Sequence, residues 1–281
     1  MKLSTAIFNL LNRIIKSRPY SALHLAIFGD IEYRQYRSQQ FLLSTAALHS
    51  KTFPQFRNIN NGKDVVVVAC GPSVEHYQII PNAIHVGVNK AICSDRIKFD
   101  YWFSEDLPVF FRNDPAVINR FREYPCTKFY GLSNIEDPRT KLCPSNPPES
   151  EALAANALRY RHDSGTTLRG WEPQPAYDLA TQPIGAFGTV ALSALQFALW
   201  TNPKRIFLVG CDNTATGHFY KKDETTYLNT QRILTGYRKI KEFAACYYPD
   251  TEIISVNPVG LRGIFKDWDQ DKGPLEDTRQ T

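Results

Sequence analysis

Asp64-Val65-Val66-Val67-Val68-Ala69-Cys70-Gly71-Pro72-Ser73 is the stretch from which the rest of the chain can be ordered. An unbroken β-branched run offers no polar face, so it suits a strand covered on both sides within a parallel sheet. The Cys70-Gly71-Pro72-Ser73 turn ends it and leads into a short predicted helix over 74–80. Downstream, further strands are predicted at 85–88, 101–104, 128–131, 205–209 and 253–256. Between them fall a helix over 188–200, bearing Val190, Leu192, Leu195, Phe197 and Leu199, and a longer one over 227–247. Strands alternating with helices at this spacing predict a doubly wound, mostly parallel α/β sheet.

The segments outside this pattern set the expected domain organisation. Residues 1–57 read as a basic amphipathic helical arm, 58–266 as the α/β domain and 267–281 as a polar tail. Within the domain, 140–184 carry Pro144, Pro147, Pro148, Pro173, Pro175 and Pro183 and read as an irregular insert, a mobile lid or acceptor-side segment. In the arm, Leu3, Ile7, Leu10, Leu11 and Ile14 recur at helical spacing, with Asn9, Asn12, Arg13 and Lys16 on other faces. Two readings stay open for residues 1–18: attachment to an anionic membrane surface, or packing on the body or a partner subunit. No apolar run reaches the ~18 residues of a membrane-spanning helix. Asn9, Asn12 and Arg13 interrupt what a secretory signal would need.

The chain has 281 residues and a net charge of +5. Residues 1–57 hold eight Lys and Arg against Asp30 and Glu32, so the arm carries the basic excess and the body is close to neutral. A body without a basic face is not expected to bind nucleic acid. Cys70, Cys93, Cys126, Cys143, Cys211 and Cys246 are scattered without ligand spacing, which predicts neither a disulfide framework nor a metal site and fits a reducing cytoplasm.

Ligands of open α/β sheets lie beyond the carboxyl ends of the strands, where the winding reverses. Three strand ends carry suitable residues. Gly71-Pro72-Ser73 permits close backbone approach, and Ser73 can cap the helix after it, although an inert turn has the same composition. Asn89-Lys90 follows the second strand; asparagine offers donor and acceptor to a ribose or base edge, or simply forms the turn. Gly210-Cys211-Asp212-Asn213 precedes Gly217-His218-Phe219-Tyr220. His218 has the pKa range of a general base, Asp212 either orients it or caps a turn, and Tyr220 stands beside it. Lys90 and Arg262 are candidate contacts for an anionic ligand group.

Val66 to Ser73, Gly87-Val88-Asn89-Lys90, the segment 185–212, Gly217-His218 and Ser255-Val256-Asn257-Pro258-Val259-Gly260-Leu261 together resemble the motifs of bacterial lipooligosaccharide sialyltransferases. The wider group includes motility-associated-factor glycosyltransferases and the MptE-like 6-hydroxymethylpterin pyrophosphokinases. The resemblance spans roughly 64–265 as short motifs. It implies a Rossmann-like fold, with Cys70, Gly71, Pro72 and Ser73 and then Asn89 and Lys90 around a CMP-linked donor. Ser104, Glu105, Gly188, Asp212 and Asn213 would complete that pocket. His218 would be the general base, with Tyr220 or Tyr227 donating to the departing phosphate. Two positions depart from the family: Cys70 replaces an asparagine, and Ser104-Glu105-Asp106 stands where Asn-Pro is expected.

What the resemblance implies is an inverting, metal-independent transfer of a keto-sugar acid such as sialic acid or Kdo to a bacterial surface glycan. No cofactor beyond the donor is implied. A lipid-linked acceptor would place the enzyme in the cytoplasm or at the inner face of the cytoplasmic membrane. The alternatives are a pterin pyrophosphokinase, whose His-Gly-Asp-Asn signature is missing here, and a non-catalytic nucleotide-binding protein. The oligomeric state, a homo-oligomer included, is left open.

Overall fold

Asp64–Val68 is the central strand, β1, of a sheet whose strands all run parallel. The computed structural model describes residues 30–105, 115–132, 156–163, 173–214, 217–220 and 230–275. Strands β2 (Ile84–Val88), β3 (Tyr101–Ser104), β4 (Thr127–Leu132), β5 (Leu158–Asp163) and β6 (Ile184–Gly185) add successively on one side of β1. The chain then returns, and β7 (Arg205–Val209), β8 (Glu252–Val256) and β9 (Lys266–Trp268) add on the other. The order β6-β5-β4-β3-β2-β1-β7-β8-β9 is doubly wound, and its winding reverses between β1 and β7.

The valine run explains why β1 is central. Val65 and Val67 pack into one layer and Val66 and Val68 into the other, all four without solvent exposure. Each side chain removed from water in this way contributes on the order of 1.5–3 kcal/mol. Helix α3 (Val190–Trp200) lies in the first layer, and every one of its residues is buried. Its polar Gln196 is fully used: the side chain accepts from Ala176 and Gly185 amides and donates to the Gly185 and Leu192 carbonyls. Helix α4 (Thr230–Tyr247) packs on α3 through Ile233, Tyr237 and Ile240. On the opposite face, helix α2 (Pro115–Glu123) brings Phe121 against Trp102.

Four expectations change. The helix over 74–80 is a single 3-10 turn, Pro72–His76, because Pro72 opens it and Val74 and Tyr77 recur at a spacing of three. Ser73 lies inside that turn and does not cap it. The stretch 140–184 is not wholly irregular, since it contributes β5 and β6. Arg159, Arg161, His162 and Asp163 hide the apolar pattern of β5, whose Tyr160 is in the core. The polar tail begins as strand β9, whose Trp268 packs on Phe207 and whose neighbour Gln270 is buried on Gln78.

The arm's second half is helix α1 (Asp30–Thr52), which packs on the body. Thr52 donates to the Arg159 carbonyl, and His49 Nε2 accepts the Arg161 amide at 2.7 Å while Nδ1 donates to the Leu179 carbonyl at 2.9 Å. This geometry requires neutral imidazole, and burial pulls its pKa down to about 4. The amphipathic pattern at 1–18, together with Asp106 and Tyr227, lies outside the described residues. No helix among the described residues is long and apolar enough to cross a membrane.

Candidate functional site

A cavity of about 450 Å³ opens at the carboxyl ends of the strands, above the reversal between β1 and β7. That is within the roughly 300–1,000 Å³ of small-molecule sites. It is walled by the ends of β1, β2, β3, β5 and β7, the start of α3 and one face of α4.

At the reversal the two central strands approach closely. The Gly71 amide donates to the Gly210 carbonyl at 2.8 Å. A Cβ at Gly71 would lie 2.5 Å from that oxygen and 2.6 Å from the Asp212 carboxyl, so only glycine fits. Asp212 is buried and accepts twice from Ser73, from its amide at 2.8 Å and from its hydroxyl in a very short contact. Burial raises the Asp212 pKa, and the Ser73 donors oppose that shift. Its carboxylate therefore holds the Gly-Pro-Ser turn to the end of β7.

The loop bearing His218 is fixed to the same place. The Phe219 amide donates to the Cys70 carbonyl at 3.0 Å, and His218 and Tyr220 both line the cavity. Their rings stack with centroids 5.1 Å apart and planes 19° from parallel. Lys90 Nζ sits 5.0 Å from the Tyr220 centroid, a cation–π contact that places a positive charge behind the stack. Burial pushes the thiols of Cys70 and Cys211 up to about 12, so neither is a thiolate nucleophile near neutral pH.

Asn89 takes a left-handed backbone (φ 46°), which asparagine tolerates, as does Asn213 (φ 50°). The Asn89 carbonyl accepts from the Trp102 indole at 2.8 Å and its side-chain oxygen from buried Ser104 at 3.3 Å. Ser104 thus supports the cavity-lining asparagine from behind. Asn213 donates to the Thr230 carbonyl at the start of α4, and its Oδ1 is buried with no partner among the described residues.

The structure brings Cys70, Gly71, Asn89, Glu105, Gly188, Asp212, Asn213, His218 and Tyr220 onto one cavity. Pro72, Ser73, Lys90 and Ser104 stand outside its lining; the last three act on Asp212, Tyr220 and Asn89, which form it. Arg262 is engaged elsewhere, with Asp269 and the Pro258 carbonyl. Sequence reading missed His162, whose strand it did not find, and the partners of Glu105, Tyr160 and Ser193. It also missed that α3 begins at the cavity, with Thr189 as its N-cap accepting from the Ala191 amide at 3.4 Å. Among the described residues no cluster of three or more His, Cys, Asp or Glu is arranged to hold a metal ion.

No protein-family model and no curated protein matches the chain. Among solved structures, it is similar to the sialyltransferase CstII from Campylobacter jejuni in complex with the substrate analogue CMP-3FNeuAc. The identity is 13% over 69% of this chain and 79% of that one, with a TM-score of 0.39. A mutant of the alpha-2,3/8-sialyltransferase CstII is 16% identical over 69% of this chain and 81% of that one, with a TM-score of 0.38. The apo form of an alpha-2,3-sialyltransferase from the same organism is 13% identical over 69% and 75%, with a TM-score of 0.38.

Proposed function

We propose that the chain is an inverting glycosyltransferase that moves a keto-sugar acid such as sialic acid or Kdo from a CMP-linked donor to a bacterial surface glycan. The observation that carries this reading is the hydrogen bond from Phe219 to Cys70, which fixes the His218 loop on the Gly-Pro-Ser turn. An imidazole, a close-approach glycine and a supported asparagine then face one cavity at a topological switch point.

In the proposed reaction, His218 takes the proton of the acceptor hydroxyl as its oxygen bonds to the anomeric carbon from the face opposite the phosphate. The bond from that carbon to the phosphate oxygen breaks, and CMP leaves with the bonding pair. Gly71 and the Asn89 amide bind the nucleotide. The Tyr220 hydroxyl, with Lys90 behind it, stabilises the donor's anionic groups. Asp212, held to Ser73, is a positioning residue for the turn. CMP presents less charge to neutralise than a diphosphate, which fits a site working without metal. The basic residues near the N-terminus suit an acceptor that is a lipid-linked glycan at the inner face of the cytoplasmic membrane.

Thermal-shift measurements against CMP, UDP, GDP and ATP, each with and without Mg²⁺, test the reading. Stabilisation by CMP independent of Mg²⁺ is expected. Stabilisation by ATP only with Mg²⁺ would overturn it in favour of a pyrophosphokinase, and no response to any nucleotide would overturn it altogether.

A further inference from the structure

A second polar pair lies in the cavity away from His218, at the β3–β5 end. Glu105 follows β3 and reaches across β4 at Gly131, where a Cβ would come within 2.5 Å of its Cγ and 2.9 Å of the Tyr160 hydroxyl. Its Oε1 accepts from Tyr160 at 2.8 Å and from Ser193 at 2.7 Å. These donors come from β5 and α3, so the carboxylate is held between two elements of the core. Its other oxygen has no hydrogen-bond partner among the described residues, and Glu105 lines the cavity. A carboxylate with two donors on one oxygen has its remaining acceptor capacity on the other.

His162 stands on β5, with its ring centroid 6.4 Å from that of Tyr160, and lines the same cavity. Its Nδ1 is buried without a hydrogen-bond partner among the described residues. Such a group destabilises a fold, and its presence in a cavity wall points to binding. No partner among the described residues fixes the tautomer, so the other ring nitrogen can meet a ligand group either as donor or as acceptor.

An open carboxylate oxygen and an uncommitted imidazole, each next to Tyr160 and on the same cavity, match hydroxyl groups, each of which donates and accepts. The same carboxylate repels a second anion. Positive charge stands instead with Tyr220 and His218, where Lys90 Nζ lies 5.0 Å from the Tyr220 ring centroid.

We propose that Glu105 and His162 form a subsite for the uncharged, hydroxyl-bearing part of a sugar, and that Glu105 keeps carboxylate and phosphate groups out of that end. The subsite thereby sets the direction in which a ligand lies in the cavity. That its ligand is a sugar rests on the glycosyl-transfer reading.

The test uses the full chain with 13C-labelled histidine, the His162 signal being assigned by its loss in His162→Gln. Methyl α-D-glucopyranoside and the matching methyl glucuronide, which differ by one carboxylate, are titrated separately. The neutral glycoside is expected to move the His162 signal saturably, the glucuronide about tenfold more weakly or not at all, and Glu105→Gln to close most of that gap. A glucuronide as effective as the glycoside, or a His162 signal unmoved by either sugar, overturns the proposal without any variant. CMP titrated into the same sample separates the two readings. Failure of CMP to bind while the glycoside moves His162 removes the transferase and leaves the subsite. CMP binding with His162 silent to both sugars does the reverse.

Discussion

Asp212 after β7 and Glu105 after β3 are carboxylates at the ends of parallel strands of one sheet, yet they are held differently. Asp212 has both oxygens engaged by Ser73, and the turn it holds is the one on which the His218 loop rests. Glu105 has one oxygen held by two hydroxyls and the other without a partner among the described residues. The contrast separates architecture from recognition within a single cavity. Where every valence is satisfied internally, a polar residue shapes the site; where one is left over, the residue is available to a ligand. A strand-end carboxylate is therefore informative only once its partners are counted.

The largest expected effect isolates the chemistry at the β1–β7 end. His218→Ala should lower turnover by roughly 10²–10⁴-fold with CMP affinity nearly unchanged, measured by single-turnover kinetics beside calorimetry. Equal loss of both would make His218 a binding residue. Next comes the architectural carboxylate. Asp212→Ala strands two buried Ser73 donors and should cost about 2–4 kcal/mol in urea unfolding. A change below about 1 kcal/mol would mean that the turn holds itself.

Acid should weaken the other end. His49 anchors α1 to β5 only as neutral imidazole, and its folded pKa of about 4 lies below the unfolded value of 6.5. Protons then favour the unfolded state. The His49 contribution is complete above the unfolded pKa and fades as pH falls towards about 4, a loss of about 3 kcal/mol. Hydrogen exchange at the Arg161 amide against pH reads this directly, and His49→Gln should flatten the dependence. The smallest effect is that of Glu105→Gln, which keeps an oxygen for Tyr160 and Ser193 and should shift stability by under about 1 kcal/mol. A larger loss would put Glu105 in the same class as Asp212.

The legible parts of the fold were those with undivided patterns. The valines of β1, the apolar helix α3 and the strand ends at Gly71, Asn89 and Asp212 follow from local chemistry, because each residue type does there what it does elsewhere. Strand β5 was hidden because its charged residues are paired with α1: the Arg159 carbonyl and Arg161 amide bond Thr52 and His49, and the Arg161 guanidinium lies over Phe41, partners more than a hundred residues away in sequence. Ser73 resembled a helix cap, and its role depends on Asp212, 139 positions away. His162 had no local motif at all. What the sequence hid was therefore long-range: side chains whose meaning is set by a partner on another strand.

The central claim is that one cavity holds a nucleotide with the His218 imidazole beside it. Its most direct test is to titrate CMP, without added metal, into the 13C-histidine-labelled chain and follow the His218 ring by NMR. The account predicts a saturable change in that signal at the same midpoint as calorimetric binding. CMP binding that leaves His218 unmoved, or no binding at all, would contradict it.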